Sequence, residues 1–247
     1  MRNRLRPHGI PELFLGLLSL AVAAVLTAHT VSGTIHDARH TRDTVTVTGS
    51  ARKPISADLV QWRVTVSREA AEAAPAARRL HRDLAAVRTF LVRAGVPSAA
   101  IKPTVVSTEP VVQKLSRHRV RRTYRVSQGL NVETRKLDVV QGVSTRVGDL
   151  IARGIDVYAE SPAYISTELD HAKLDTLEAA TADARQRAQI LVHGLGGKLG
   201  RMRSSSLGVY QVTPRFSTDV TDYGVNDVSS RDKDVNAVVS ATFDVKG

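Results

Sequence analysis

The sequence predicts an α+β protein in which antiparallel sheets pack with long helices, preceded by one N-terminal transmembrane helix. Three observations predict this class. Alternating apolar and polar residues, typical of half-buried strands, occur near both ends of the domain, at 44–50 and 235–245. Two long stretches, 69–95 and 170–195, carry apolar residues at helical spacing. An apolar run near the N-terminus is long enough to cross a bilayer.

That apolar run covers residues 10–31, and Arg2, Arg4 and Arg6 precede it. By the positive-inside rule these arginines keep the N-terminus in the cytoplasm. About 22 helical residues span roughly 33 Å, the thickness of a bilayer core. The strictly apolar part, 13–26, also fits a signal peptide, but the cleavage sites that follow it are poor. We predict a retained single-pass anchor in the inner (cytoplasmic) membrane, with the domain in the periplasm or outside. A soluble exported domain after signal cleavage is the alternative.

The predicted organisation therefore has four parts. They are a basic cytoplasmic tail (1–9), the transmembrane anchor or signal segment (10–31), a polar stalk (32–43) and one domain (44–247).

The composition excludes several chemistries. The chain has no cysteine, so it has no disulfide, thiolate nucleophile, zinc–sulfur site or lipid-modified cysteine. Aromatic residues make up only 4%, which leaves little surface for base stacking and, with export, argues against a nucleic-acid partner. The formal net charge of +11 favours anionic partners such as phospholipid head groups or wall polymers, but it also suits plain solubility.

Within the domain, the first two strands, 44–50 and 59–66, are expected to form a hairpin or to lie side by side. The first long helix should bury one apolar stripe and end at Gly95, which is a good helix C-cap. The stripe consists of Leu80, Leu84, Val87, Leu91 and Ala94. The later elements are strands at 104–112 and 123–133, a helix at 136–153, a strand at 163–168, the helix at 170–195, and strands at 202–213 and 235–245.

The third helix, 170–195, is expected to face the sheet with a second stripe, and a long polar loop should occupy 214–234. A weak similarity between 90–95 and 190–194, each followed by a strand, a loop and a strand, is compatible with two pseudo-repeated halves, but chance explains the similarity as well. The expected helix stripe is Leu174, Leu177, Thr181, Ala184, Ala188, Leu191 and Leu195.

The chain contains none of the common catalytic or phosphate-binding motifs. Its domain histidines stand outside any motif, and the carboxylates of 170–183 alternate with basic residues, as on a solvated helix face. We predict no catalytic residues, no cofactor and no metal site, and therefore no enzyme. An unrecognised hydrolase is a distant alternative. The histidines are His81, His118, His171 and His193.

The sharpest chemical feature is an arginine cluster between the two middle strands, made of Arg117, Arg119, Arg121 and Arg122. Guanidinium groups bind phosphate and carboxylate in a bidentate manner, so this loop is a candidate anion-binding site. A solvated hairpin, or a surface that contacts another subunit, explains the same residues.

Three segments of the chain resemble SIMPL-domain (YggE-like) proteins. They are the opening strands with their Ser-Ala-Asp58 motif (44–62), the Gly-Lys-Leu-Gly-Arg sequence that follows the long helix (197–201), and the closing strand (238–245). The resemblance covers about residues 44–246. It implies an α+β domain of the cell envelope, assembly into large homo-oligomers and a role in oxidative-stress defence. It implies no catalytic residues.

The leading hypothesis is a membrane-tethered envelope protein that works through homo-oligomeric assembly or partner binding. The alternative is a module that binds anionic lipid or wall polymer through the arginine cluster.

Overall fold

The computed structural model describes residues 43–116, 119–218 and 221–247, so the predicted tail, the anchor and nearly all of the stalk lie outside the described residues. Among the residues that it does describe, no helix combines the length and the apolar character needed to cross a bilayer. The strands are β1 (Thr44–Ser56), β2 (Leu59–Ala70), β3 (Ile101–Ser116), β4 (Arg119–Thr134), β5 (Val157–Ala159), β6 (Ala163–Ile165), β7 (Lys198–Leu207), β8 (Gln211–Pro214) and β9 (Asp232–Lys246). The helices are α1 (Ala73–Arg93), α2 (Leu137–Ser144), α3 (Gly148–Ala152) and α4 (Leu169–Gly194).

The strands form two antiparallel sheets. Sheet A has the order β1–β9–β7, and β8 pairs with β9 further along the edge that β7 occupies. Sheet B has the order β3–β4–β2–β5, and β6 also pairs with β2. Helix α4 packs on sheet A, and α1 packs on sheet B. The predicted α+β class with antiparallel sheets and long helices is confirmed.

The expected pairing of the first two strands is wrong, because β1 lies in sheet A and β2 in sheet B. β1 pairs with β9 over its full length, and β2 pairs with β4. The change of sheet takes place within the link between them. The amide of Ala57 donates to the carbonyl of Arg231, just before β9, at 2.8 Å, and the amide of Asp58 donates to the carbonyl of Ile165 in β6 at 3.0 Å. Neighbouring residues are thus bound to different sheets.

The stripe predicted for the first helix is confirmed, since Leu80, Leu84, Val87 and Leu91 are buried in the main core against sheet B. The helix begins four residues later than expected because β2 continues to Ala70. It ends as predicted at a glycine in the left-handed region, Gly95, with φ of 101°.

The helix predicted at 136–153 is broken into α2 and α3. The amides of Arg146, Asp149 and Leu150 donate to carbonyls three residues earlier, so the connecting turn is tighter than an α-helix. Val147 and Leu150 are nevertheless buried in the core with the valines of α2.

Two other sequence-based boundaries differ from the structure. The strand expected at 202–213 is two strands, β7 and β8, and the one expected at 163–168 is the short β6. The expected pseudo-repeat does not divide the chain into two contiguous halves, because the first strand belongs to the sheet formed by the C-terminal part.

Candidate functional site

A groove of about 1070 Å³ lies on sheet A, and we call it the α4–β7 groove. Its floor is formed by apolar side chains of β9, with α4 as one wall and β7 as the other. The floor residues are Val239, Ala241 and Phe243; the helix contributes Leu177, Glu178, Thr181, Ala182 and Arg185; the strand contributes Leu199, Gly200, Arg201, Met202, Ser205, Ser206 and Leu207.

The groove exists because α4 sits over β1 and β9 and leaves β7 largely uncovered. A Cβ atom placed on Gly49 of β1 would lie only 2.3 Å from both the carbonyl oxygen of Ala180 and the amide nitrogen of Ala184. Helix and strand can therefore approach this closely only at a glycine. The close contact draws the helix to the β1 side of the sheet.

The helix reaches this position with a stripe of small side chains that shares only Ala184 and Ala188 with the predicted stripe. The expected stripe is wrong in most of its members: Leu174, Leu191 and Leu195 are exposed, and only Ala184 and Ala188 of it are buried. Leu177 faces the α4–β7 groove. The residues that α4 buries are Ala172, Thr176, Ala180, Ala184, Ala188 and Val192.

The chemistry of the groove is that of an apolar binding surface. Arg185, Arg201 and Glu178 supply charge among its lining residues, and no histidine lines it. Grooves of this kind usually bind through apolar contact, with a few polar groups that set orientation. Within the described ranges, no group of three or more histidine or carboxylate side chains is placed to hold a metal ion.

Arg119, Arg121 and Arg122 of the predicted arginine cluster lie in β4 instead of in a loop, because β3 and β4 extend to residues 116 and 119. Arg117 lies outside the described residues, and the structure places only the backbone of Arg119. Arg121 and Arg122 are exposed and are consecutive in β4, so their side chains leave opposite faces of the strand. Hydrogen bonds from Thr123 and Arg125 lower the pKa of Glu69, and the nearby charge of Arg121 contributes to the same shift. The anion-binding role stays a prediction.

The other titratable residues considered from the sequence lie on the surface. His81, His171 and His193 are exposed on helices, while His118 is outside the described residues. The expected salt-paired face of the third helix is confirmed. Its ion pairs are Lys53 with Asp175, Arg187 with Asp183, and Lys173 with Asp170.

The sequence does not single out Lys233, which is buried where sheet A meets sheet B. Its Nζ donates to the carbonyl oxygen of Tyr164 in β6 at 2.7 Å and to that of Asp227. Burial lowers the pKa of Lys233, and the carboxylate of Asp227 opposes the shift. From sequence, a lysine at the start of a strand is expected to be exposed to solvent. The alternating apolar run that follows Lys233 is the one sequence feature that indicates its burial. Through its two hydrogen bonds Lys233 helps to hold the two sheets together.

Both sheets also end in open strands. Within the described residues, β3 pairs only with β4, and β7 only with β9. The β3 strand carries exposed valines, including Val105, Val106 and Val112. A long edge strand with exposed apolar side chains can pair with another chain. The open edge of β7 borders the α4–β7 groove.

The fold and these surfaces define an α+β domain with an apolar groove and with open sheet edges at β3 and β7. The family model described as "SIMPL: Protein of unknown function (DUF541)" matches residues 45–243. The chain therefore belongs to the SIMPL family, as its sequence motifs indicated. No curated protein matches the chain significantly.

The fold explains Asp58, which closes the Ser-Ala-Asp motif of the opening strands. Its carboxylate accepts hydrogen bonds from the amide and the hydroxyl of Thr167, both at 2.7 Å, and from Arg135 at 2.9 Å. These contacts join the β1–β2 link to the segment that leads into α4. Asp58 thus has a structural role at the point where the chain changes sheets.

The Thr167 amide and hydroxyl, and then Arg135, lower the pKa of Asp58 below 3.8. Asp58→Asn should therefore destabilise the protein at pH 7 by on the order of 1 kcal/mol, because the ionised acceptor is lost. A lowered carboxyl pKa stabilises the fold above the unfolded-state value, and that contribution is lost as the pH falls through the folded-state value. Urea unfolding of the wild-type protein and of Asp58→Asn from pH 7 to pH 2 should show that the difference between their free energies of unfolding shrinks. A difference independent of pH would contradict this role.

Proposed function

We propose that this SIMPL protein is a membrane-tethered protein of the cell envelope that acts without catalysis, through homo-oligomeric assembly. The observation that carries the proposal is the open β7 edge beside the α4–β7 groove. Sheet A offers both unpaired backbone groups and an uncovered apolar floor at one place, which is what an added strand from another chain needs. The predicted anchor supplies the tether, and the family resemblance extends the role to oxidative-stress defence.

The open β3 strand supports self-assembly over binding of an unrelated partner. It carries exposed valines, and it lies in the other sheet from β7. If β3 of one copy adds to β7 of the next, the contact is heterologous, and its repetition closes into a ring when the rotation allows it. Such a contact would also place apolar side chains of β3 next to the groove.

A charge inside the groove should oppose this assembly. Met202 lines the groove and is 56% exposed, so Met202→Lys should be tolerated by the fold. Burying the ammonium group against the apolar floor should weaken self-association at least about tenfold, which corresponds to about 1.4 kcal/mol. Light scattering coupled to chromatography of the full-length protein in detergent would give the mass of each species as a function of concentration.

The matched control is Leu174→Lys, a similarly exposed apolar position of α4 (64%) that is not among the residues lining the groove. It should assemble like the wild-type protein. A wild-type protein that stays monomeric at high concentration in detergent would refute assembly. Equal effects of the two lysine variants would show that the groove is not the contact.

A further inference from the structure

One end of sheet A carries exposed apolar side chains at the point where the chain leads back toward the predicted anchor. β1 begins there at Thr44, opposite Asp244 of β9, and the last turn of α4 lies beside residues 43–45. Ile190, Leu191 and Leu195 are 64%, 51% and 88% exposed. We call the surface made by Ile190, Leu191, Leu195, Lys198 and Lys246 the proximal face.

The turn after α4 displays Leu195 without cover. Glycines 194 and 196 flank it and have no side chains to shield it, and Gly196 turns the chain with φ of 81°. Leu191 and Leu195 line a shallow cleft of about 400 Å³ together with Val45 and Val245. Single exposed apolar residues are ordinary on a protein surface, but a contiguous group marks a contact.

The charge at the same end of sheet A is positive. Lys198 of β7 and Lys246 of β9 stand directly opposite each other in the ladder, and both are exposed. Because Leu199 and Val245, the next pair in the ladder, face α4, the two lysine side chains leave the other face of the sheet at this end. Like charges in directly opposed positions destabilise a sheet, and a nearby anionic surface relieves that repulsion. Asp43 is the exposed acidic residue in this cleft. Apolar side chains and lysines that share one end of a domain fit the boundary between acyl chains and anionic head groups.

The covalent connection sets the distance from the bilayer. Residues 32–42 separate the predicted anchor from Asp43. A fully extended chain of that length reaches about 40 Å, and the root-mean-square span of a flexible one is about 20 Å. The beginning of β1, and the proximal face with it, is therefore held at high local concentration next to the membrane.

We propose that the proximal face docks on the lipid bilayer, with Leu191 and Leu195 at the boundary of the acyl chains and Lys198 and Lys246 against anionic head groups. This inference rests on the proposed function only for the anchor that tethers the domain. The face is distinct from the arginine cluster, which lies on sheet B. A bilayer, and not a second copy, is the occupant because the face lies at the tether and combines apolar side chains with lysines.

The absence of cysteine allows single-site spin labelling of the full-length protein. Labels at Leu195→Cys, Tyr223→Cys and Val112→Cys would be compared in vesicles of phosphatidylcholine and phosphatidylglycerol. Oxygen concentrates in the bilayer and a neutral nickel chelate stays in water. The ratio of oxygen to nickel collision rates should be several-fold higher at position 195 than at 223, an exposed loop residue.

The alternative outcomes are distinct. Contact with a second copy would lower both collision rates at 195 and overturn the proposal. Equal oxygen-to-nickel ratios at positions 195 and 223 would overturn it as well. So would a high ratio at position 112, in the hairpin of the arginine cluster, together with a low ratio at position 195.

A label at Ile190→Cys gives a second test on the same vesicles. Adding Leu191→Asp and Leu195→Asp should return its collision ratio to the value in water, whereas Leu174→Asp, at the other end of α4, should leave it unchanged. An unchanged ratio in the double variant would contradict the proposal. Alkaline extraction of the vesicles tests the anchor separately. If alkali releases the chain from the membrane, the predicted anchor is wrong, while the spin label at neutral pH still reports whether the proximal face contacts lipid.

Discussion

Gly49→Ala should destabilise the protein by about 3 kcal/mol or more, because the added methyl group has no space between β1 and α4. Its Cβ would lie 2.3 Å from the oxygen of Ala180 and the nitrogen of Ala184, and 2.6 Å from the Cα of Ala184. All three are backbone atoms, so no change of rotamer relieves the overlap. The helix must move away from the strand, which opens the contacts of its small-residue stripe. Thermal and urea unfolding of the full-length protein in detergent would measure the loss.

Two matched variants make this expectation specific. Gly142→Ala lies within helix α2, where an added Cβ meets nothing within 4 Å, so it should be neutral or stabilise by up to about 1 kcal/mol. Gly49→Ala combined with Ala184→Gly should stay as unstable as Gly49→Ala alone, because the clashing atoms belong to the backbone. Rescue by that second change would show that side-chain crowding, and not backbone contact, decides this position.

Lys233→Met should cost about 2–4 kcal/mol, since it leaves the carbonyls of Tyr164 and Asp227 without their buried donor. Methionine has a similar length and fills the site, so the loss reports the hydrogen bonds and not a cavity. The loss should appear as a lower midpoint in urea unfolding. Lys198→Met, at an exposed position of the neighbouring strand β7, should change stability by less than about 0.5 kcal/mol.

The pH dependence gives an independent check on Lys233. Because burial lowers its pKa below 10.5, the unfolded chain binds more protons than the folded one between the two values. The stability of the wild-type protein should therefore rise, relative to that of Lys233→Met, as the pH increases through that window. A constant difference between the two proteins would mean that the ammonium group is not desolvated as described.

Local patterns predicted the elements that depend on local physics. The alternation at 235–245 marks the later part of β9, and the spacing of Leu80, Leu84, Val87 and Leu91 marks the buried face of α1. Gly95 ends that helix for the steric reason that the sequence suggests. The SIMPL motifs gave the family correctly, although the same motifs do not reveal that Asp58 joins two sheets.

The main errors concern the groove, and they share a cause. On α4, leucines and alanines both repeat at helical spacing, and hydrophobicity alone favours the leucines as the buried face. The choice is made by Gly49, which lies more than 120 residues earlier in the chain and permits backbone contact only with a small-residue stripe. The exposure of Leu177 to the α4–β7 groove follows from that contact, so no local pattern could have placed it there.

The sequence by itself therefore determined the class of fold, the first long helix and the family, while the membrane segment stays a prediction. Those features depend on periodicity, charge and motif, which are properties of neighbouring residues. Only the tertiary structure decided that β1 and β2 belong to different sheets and that α4 leaves β7 uncovered. It also decided that Lys233 binds the carbonyls of Tyr164 and Asp227. These depend on contacts between residues far apart in the chain, where steric fit and the pairing of buried polar groups outweigh local preference.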